Sequence, residues 1–493
     1  MRIFLLSIAF FILQNSFAQD SSNVYTYGGT NNDYAREIIC TSDSGFIVVG
    51  TTSSFGVQLT DIYIIKTDRY GAKQWSHIYG SEAIEWGYGI RETFDHGYII
   101  TGYTNQNAAA GYDIYLLKIN SIGEVQWSKT IGGADWDFAY AIELTTDSGF
   151  IICGKSYSYT NGGSDALIVK TDSIGNIVWQ KNFGGTGDES MNDIIRDRDD
   201  NYGVVGQTNS FGNGREDEWL MRIDMNGDTL WTILYGHMLF DVGYAIDTTA
   251  DGGYVTNGTT NSYAVPDTTK NMMLIKTMQS GLWKWTRIHG EANKFEEGYI
   301  VDVFPNGDIF DGGVTDAWGE GQTAFYMLRS DSLGDYITGA NFGGTDHEEG
   351  YSSAVGKHNQ AMFAGVTDSY GCGLFDVYLI RIDTFAFQSF HPPINHFTCD
   401  TTIGIGELET GNKNISIYPN PSSEKMLIDF HPAKSLRGKF ELRVTDISGK
   451  EVEMMYLENF PAELHIGSWA SGFYILNIYS GNVLQGAEKL IVY

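Results

Sequence analysis

Between residues 24 and 383, hydrophobic residues come in short runs, each closed by Gly, Asp, Asn or Ser. Runs of about four to seven apolar or alternating residues between turn-formers predict β-strands rather than helices. The runs keep a fixed order. A segment such as AYAIELT leads to DSGF or DGGY and then to an apolar run such as IICGKS. A loop rich in Gly, Asn and Ser follows, then D-x-Y-L-I-K-x-D, a turn with Gly, and x-x-W-x-K-x-x-G. The DSG and DGG triplets suit tight hairpins that need a positive φ, which Gly adopts without a Cβ clash.

The Gly closing each W-x-x-x-x segment serves as a marker: Gly28, Gly80, Gly132, Gly184, Gly236, Gly290 and Gly343, at steps of 52, 52, 52, 52, 54 and 53 residues. Regular spacing on this scale means repeated structural units. Four strands per unit and seven units predict an all-β chain with a seven-bladed β-propeller over 19–390. A solenoid is the alternative, but no capping repeats are present. The seventh unit lacks a Trp-bearing last strand after DVYLIRID. NVYTYGG at 23–29 stands ahead of the first unit and is expected to supply that strand, closing the ring and removing a free edge. TFAFQSF at 384–390 is the lesser candidate. Trp75, Trp127, Trp179, Trp231 and Trp285 share one outer-strand position, where blade 6 has Thr338. A residue repeated in five blades is expected to wedge between neighbouring blades or cover their outer surface rather than bind a ligand.

A second periodicity concerns charge. Five residues after the marker come Asp33, Glu85, Asp137, Glu189, Asp241 and Glu348, and after a one-residue insertion Glu296 completes the seven. They fall where the chain crosses from one blade's outer strand to the next blade's inner strand, on one face of the propeller. One reading has each carboxylate accept backbone N–H groups of its loop and lock the blades. The other makes them a binding ring for a cation or a hydroxyl-rich ligand, with Glu82, Asp135, Asp188, Glu297, Asp346 and Glu349 crowding the same face. Crowded carboxylates shift one another's pKa and could furnish the acid pair of a glycosidase. Tyr34, Trp86, Tyr88, Trp136, Phe138, Tyr140, Tyr244, Tyr299 and Tyr351 accompany this face and suit either sugar recognition or an ordinary blade core. DMNGD at 224–228 lacks the remainder of a calcium loop and reads as a turn. No metal site and no cofactor are expected, with calcium left open. No serine-hydrolase, zincin or phosphate-loop motif appears.

The chain carries 31 Lys and Arg against 61 Asp and Glu, a formal charge of −30. That excess repels phosphate backbones and anionic lipid, so nucleic acid and membrane surfaces are poor partners. The first residues, MRIFLLSIAFFILQNSFAQD, have one Arg, an apolar run from Ile3 to Leu13 and Ser16-Phe17-Ala18, which reads as a secretory signal over 1–18. The run is too short to span a bilayer, and no other stretch approaches that length. Of four cysteines, Cys40 and Cys153 lie in strand-like runs and read as buried thiols. Cys372 and Cys399 lie in loop-like sequence and could bridge in an oxidising compartment.

From HPPINHFTCDTTIGIGELETGNKN, about 391–414, the alternation is lost and the chain reads as a linker. Strand-like runs and tight turns resume from Ile415 to 493 and predict a small β-sandwich. Within it stand Tyr418-Pro419-Asn420-Pro421, DISGK with Asp446, Gly449 and Lys450, SGFYIL with Gly472 and Tyr474, and a final KLIVY with Lys489. These residues, in this order, resemble the type A C-terminal sorting domain of the type IX secretion system of Bacteroidetes. The repeats over about 24–390 are similar to propeller repeats of proteins secreted in that phylum. The resemblance implies passage through the periplasm, the type IX machinery as partner, and release or attachment at the outer-membrane surface. The readings left standing are a secreted or surface-displayed propeller that binds extracellular glycan or protein, an endoglucanase-like hydrolase using the acidic face, and a structural or adhesive surface protein.

Overall fold

The computed structural model describes residues 23–383 apart from 57–58, 107–110, 161, 264–268, 292, 318–320 and 357–359. Beyond these it describes 394–397, 404–405, 415–418, 425–430, 439–446, 450–457, 461–470, 472–480 and 483–492. The signal segment 1–18 and TFAFQSF therefore lie outside the described residues. The chain divides into two compact units, Met1–Leu408 and Glu409–Tyr493.

The first unit is a seven-bladed propeller of antiparallel sheets, with no helix among the described residues. The innermost strands, in blade order, are Asp33–Cys40, Glu85–Glu92, Asp137–Leu144, Glu189–Arg196, Asp241–Thr248, Glu296–Val303 and Glu348–Val355. The ring closes through side chains of its first and last blades. Ile38, Phe46, Val48 and Tyr63 of blade 1 share one core with Ala354, Met362, Ala364, Val377 and Leu379 of blade 7. As expected, the N-terminal strand Asn23–Tyr27 is the fourth strand of blade 7, antiparallel to Asp376–Asp383 with Tyr25 opposite Leu379. The stretch read as a linker does more than connect. Ile394–Phe397 pairs parallel to Asn23–Tyr27, and Gly404–Ile405 pairs parallel to the outer strand of blade 1, so both edges of the ring's seam gain a fifth strand.

The marker glycines have a steric cause. A Cβ at Gly80 would lie 1.6 Å from Asp61 Oδ1, at Gly132 2.1 Å from Asp113 Oδ1, and at Gly28 1.9 Å from Asp376 Oδ1. In five blades the Asp opening the third strand thus occupies the space a side chain would need; Asn271 does so at Gly290, and Glu348 at Gly343, where Ala324 opens the third strand. The hairpin triplets differ from expectation in detail. The residue with positive φ is the middle one, and it is Ser44, His96, Ser148 and Asp200 in blades 1 to 4, becoming Gly252 only in blade 5. The Gly after it is required by crowding instead: a Cβ on Gly45 would meet the Thr67 carbonyl at 2.3 Å. The recurrent tryptophans wedge between blades. Trp179 Nε1 donates to the Met225 carbonyl of blade 4 at 3.1 Å, and Trp231 Nε1 donates to the Gln279 carbonyl of blade 5 at 3.0 Å.

The second unit is a two-sheet sandwich. Ile415–Tyr418, Lys425–Phe430 and Ala462–His465 form one sheet, and Glu451–Leu457, Phe440–Asp446, Gly472–Ser480 and Val483–Val492 form the other. Met426, Ile428, Leu442, Val444, Leu464, Leu476 and Ile478 fill the space between them. Asp446 stands opposite Tyr474, and Ile475 opposite Lys489, while the Tyr474 hydroxyl donates to the Ala470 carbonyl at 2.7 Å. Tyr418 ends the first strand. Pro419, Asn420, Pro421 and Gly449 lie outside the described residues, and Lys450 is exposed.

Candidate ligand face and central channel

The seven repeated acids begin the inner strands, and none has surface to offer a ligand. Asp33, Glu85, Asp137, Asp241, Glu296 and Glu348 are 0% exposed and Glu189 1%. Each reaches back to the loop before it and across to the end of the second strand. Asp137 accepts the Gly133 N–H at 2.7 Å and the Ser158 hydroxyl at 2.7 Å. Glu189 accepts the Gly185 N–H and the Thr208 hydroxyl, both at 2.8 Å. Glu348 accepts the Gly344 N–H at 2.8 Å and the Thr367 hydroxyl at 2.6 Å. Asp33 and Asp241 repeat the pattern with Gly29 and His237, and Glu85 and Glu296 with Ser81 and Glu291. Burial pushes Asp33 up to about 6 and Glu296 to about 7. As a binding ring these acids are set aside. Buried carboxylates that accept loop donors act as loop clamps.

The channel is lined from a different register. Every inner strand carries a β-bulge three residues after its acid, so the pairing skips one residue. The skipped residues are Arg36, Tyr88, Tyr140, Asn192, Tyr244, Tyr299 and Tyr351. A bulge re-aims the side chain it strands, and all seven line the central channel, a cavity of about 720 Å³. Neighbours touch around the collar. Ring centroids are 4.9 Å apart for Tyr244 and Tyr299, 5.7 Å for Tyr299 and Tyr351, and 5.4 Å for Tyr88 and Tyr140. The Arg36 guanidinium bridges Tyr351 at 4.6 Å and Tyr88 at 5.3 Å. Asn192 Nδ2 donates to the Gly243 carbonyl at 2.8 Å. Burial raises the hydroxyls of Tyr140, Tyr244, Tyr299 and Tyr351, and Tyr299 and Tyr351 donate theirs to Glu297 and Glu349.

From this collar an aromatic belt spreads over blades 7, 1, 2 and 3. Phe375 meets Tyr34 at 5.7 Å, Tyr34 meets Trp86 at 6.3 Å, and Trp86 meets Tyr103 at 6.1 Å. Tyr103 meets Phe138 at 4.8 Å, and Tyr112 meets Trp136 at 5.7 Å. Most of these rings are half-buried, but Trp136 is 47% exposed and Tyr157, next to it, 38%. The aromatics singled out in the sequence are thus gathered on the channel and the face around it. The belt also holds Arg36 and Lys155, which the sequence reading passed over. Counting three residues from each acid would have found Arg36 and Asn192.

Deeper in the channel lies a polar tier that sequence reasoning also missed. Arg91 pairs with both Glu37 of blade 1 and Glu143 of blade 3. Asp193, Asp247 and Asp302 add further carboxylates to the wall. Burial pushes Asp193 up to about 7 despite Arg91, and Asp247 to about 6. Asp302 rises well above the carboxylate range through burial and then Asp247. Each also serves as an inter-blade tie: Glu37 accepts the Ile90 N–H at 2.6 Å, Asp193 the Ile246 N–H at 3.0 Å and Asp247 the Val303 N–H at 2.7 Å. Among the described residues no three His, Cys, Asp or Glu are arranged to hold a metal ion. DMNGD is a hairpin turn in which Asp224 Oδ1 accepts the N–H groups of Asn226 and Asp228.

Cys40 and Cys153 are free thiols; Cys153 is buried and Cys40 only partly so. Cys372 is disulfide-bonded, and Cys399 lies outside the described residues.

The C-terminal segment 416–493 matches a family model described as a secretion system C-terminal sorting domain. No curated protein matches the chain. Among solved structures, a protein of unknown function from Bacteroides caccae aligns at 12% identity and a TM-score of 0.37, over 60% of this chain and 93% of that one. The β-propeller domain of the Trilobed protease from Pyrococcus furiosus aligns at 11% and 0.41, over 73% and 98%. Sqt1 from Chaetomium thermophilum aligns at 9% and 0.42, over 83% and 96%. Likenesses at this level add nothing to a fold that the sheet topology already defines. The chain is a seven-bladed β-propeller protein carrying a type IX secretion C-terminal sorting domain, which marks it for export.

Proposed function

We propose that the exported propeller binds extracellular polysaccharide along the aromatic belt of blades 1 to 3 and the tyrosine collar it opens onto. The observation that carries this reading is the belt itself, with Trp136 and Tyr157 presented to solvent beside half-buried rings. Flat aromatic faces suit the C–H faces of pyranose rings, and neutral tyrosine hydroxyls supply hydrogen bonds to sugar hydroxyls. A protein partner would be favoured by a compact apolar patch, whereas these rings form an extended track edged with polar groups. The test is calorimetric titration of the full-length chain with plant, algal and bacterial polysaccharides. Binding that Trp136→Ala weakens at least about tenfold supports the reading, since one ring–sugar stack contributes on the order of 1.4 kcal/mol or more. Absence of binding across the panel removes it.

The hydrolase alternative shifts from the repeated acids to the channel tier, where Asp193 and Asp247 have raised pKa values. Both are tied to backbone N–H groups of the next blade, which favours a structural role. New reducing ends that vanish in Asp193→Asn would reverse that preference.

A further inference from the structure

Resting on the polysaccharide reading, we infer that the belt takes a carboxylate-bearing polysaccharide, a polyuronate, with Arg36 and Lys155 receiving its acid groups. Two cations stand in the belt of an otherwise acidic protein. Arg36 sits among four rings, at 4.6 Å from Tyr351, 5.3 Å from Tyr88 and 5.7 Å from both Tyr34 and Trp86. Lys155 lies 5.5 Å from both Phe138 and Tyr157. Neither makes an ion pair or a hydrogen bond with the described residues, and Arg36 Nε is enclosed with no acceptor at all. The third strands hold their cations differently. At the buried cation slot of the third strand, Lys66, Lys118, Lys170 and Lys276 are paired with Asp43, Asp95, Asp147 and Asp251, and Arg222 and Arg329 with Asp197 and Asp308.

A cation boxed by aromatic rings is attracted to their negative faces. Its N–H donors still want an acceptor, and both side chains line the channel where a ligand would enter. The guanidinium fork matches a carboxylate edge, and the ammonium takes one as a point charge. Neither nearby acid pairs with them: Glu297 is engaged by Lys270 and Tyr299, and Glu349 accepts the Tyr351 hydroxyl. The two cations stand at opposite ends of the run Arg36, Tyr88, Tyr140, Phe138, Lys155, whose rings lie 5.4 Å and then 6.5 Å apart. Sugar rings lying along the intervening aromatics would bring acid groups from different residues of one chain to the two ends. Long-range repulsion by the net charge is screened beyond about 8 Å at physiological ionic strength, so the local pairs decide.

The experiment titrates the full-length chain, at about 0.15 M salt, with polygalacturonate, with its carboxyl-reduced neutral form and with a sulfated galactan. Polygalacturonate is expected to bind about tenfold or more tightly than the reduced polymer, as two charge-assisted contacts would give. Arg36→Gln and Lys155→Gln should each cut that preference severalfold, read as the ratio of the affinities for the acidic and the reduced polymer. Arg36→Lys, which keeps the charge without the fork, should retain part of it, and thermal melts show whether each variant folds. Equal binding of the acidic and reduced polymers overturns the acid assignment while the polysaccharide reading stands. Preference for the sulfated polymer overturns the carboxylate in favour of a sulfate ester. Silence with all three overturns this inference, and only silence across the wider panel removes the polysaccharide reading as well.

Discussion

The Asp193 carboxylate of blade 4 accepts the backbone N–H of Ile246 in blade 5 at 3.0 Å, tying two blades at the channel wall. Burial holds that carboxyl at about 7, well above the value of about 3.9 in an unfolded chain. A raised acid contributes stability in full below the unfolded value and loses it as pH rises through the folded one. Asp247 and Asp33, both near 6, act in the same direction. Asp43, Asp95 and Asp147, lowered to about 2, lose their contribution only in stronger acid. The propeller should therefore be more stable near pH 5 than near pH 8. Asp193→Asn keeps an acceptor for Ile246 and should flatten the slope over that interval, by an amount on the order of 1 kcal/mol or more. Urea titrations at both pH values decide it.

The repeated acids and the belt should separate stability from binding. Glu189→Gln leaves a donor amide facing the Gly185 N–H or the Thr208 hydroxyl, and should cost about 1–3 kcal/mol of folding stability. Ligand affinity of the folded fraction should not change. Trp136→Ala removes an exposed ring and should shift stability by less than about 0.5 kcal/mol while lowering polysaccharide affinity. Paired melts and titrations of both variants provide the check.

Trp179 should behave as a wedge between blades. Trp179→Ala removes a half-buried indole and its bond to the Met225 carbonyl, and about 2 kcal/mol should be lost. Trp179→Phe keeps most of the packing and should recover about half of that loss. Chemical denaturation followed by far-UV circular dichroism measures both.

Gly80→Ala sets a Cβ against Asp61 and should destabilise by about 2 kcal/mol through overpacking. Because the clash is with the side chain rather than the backbone, Gly80→Ala combined with Asp61→Ala should cost less than the sum of the two single changes. A double-mutant cycle reads that coupling.

Much of the fold was legible because its causes are local or periodic. The marker at Gly28 through Gly343 records a close approach repeated in each blade. The missing last strand after DVYLIRID and the spare NVYTY ahead of blade 1 are two halves of one sheet, and the pairing of Tyr25 with Leu379 joins them. The sorting residues from Tyr418 to Lys489 were readable for the same reason, since they lie in a short segment of fixed order.

What the sequence by itself determined is the strand pattern, the number of blades, the N-terminal closure and the C-terminal address, all carried by side-chain alternation and spacing along one chain. Only the tertiary structure decided which polar groups face a ligand. Asp33 and Arg36 are three residues apart on one strand, yet the first is sealed beneath its own loop and the second stands in the channel. The physical reason is the bulge between them and the second strand: pairing two strands strands one residue, and no alternation read from a single strand contains that event. The same holds for Arg91 with Glu37 and Glu143. The two acids come from the blades on either side and meet Arg91 only when the ring is assembled.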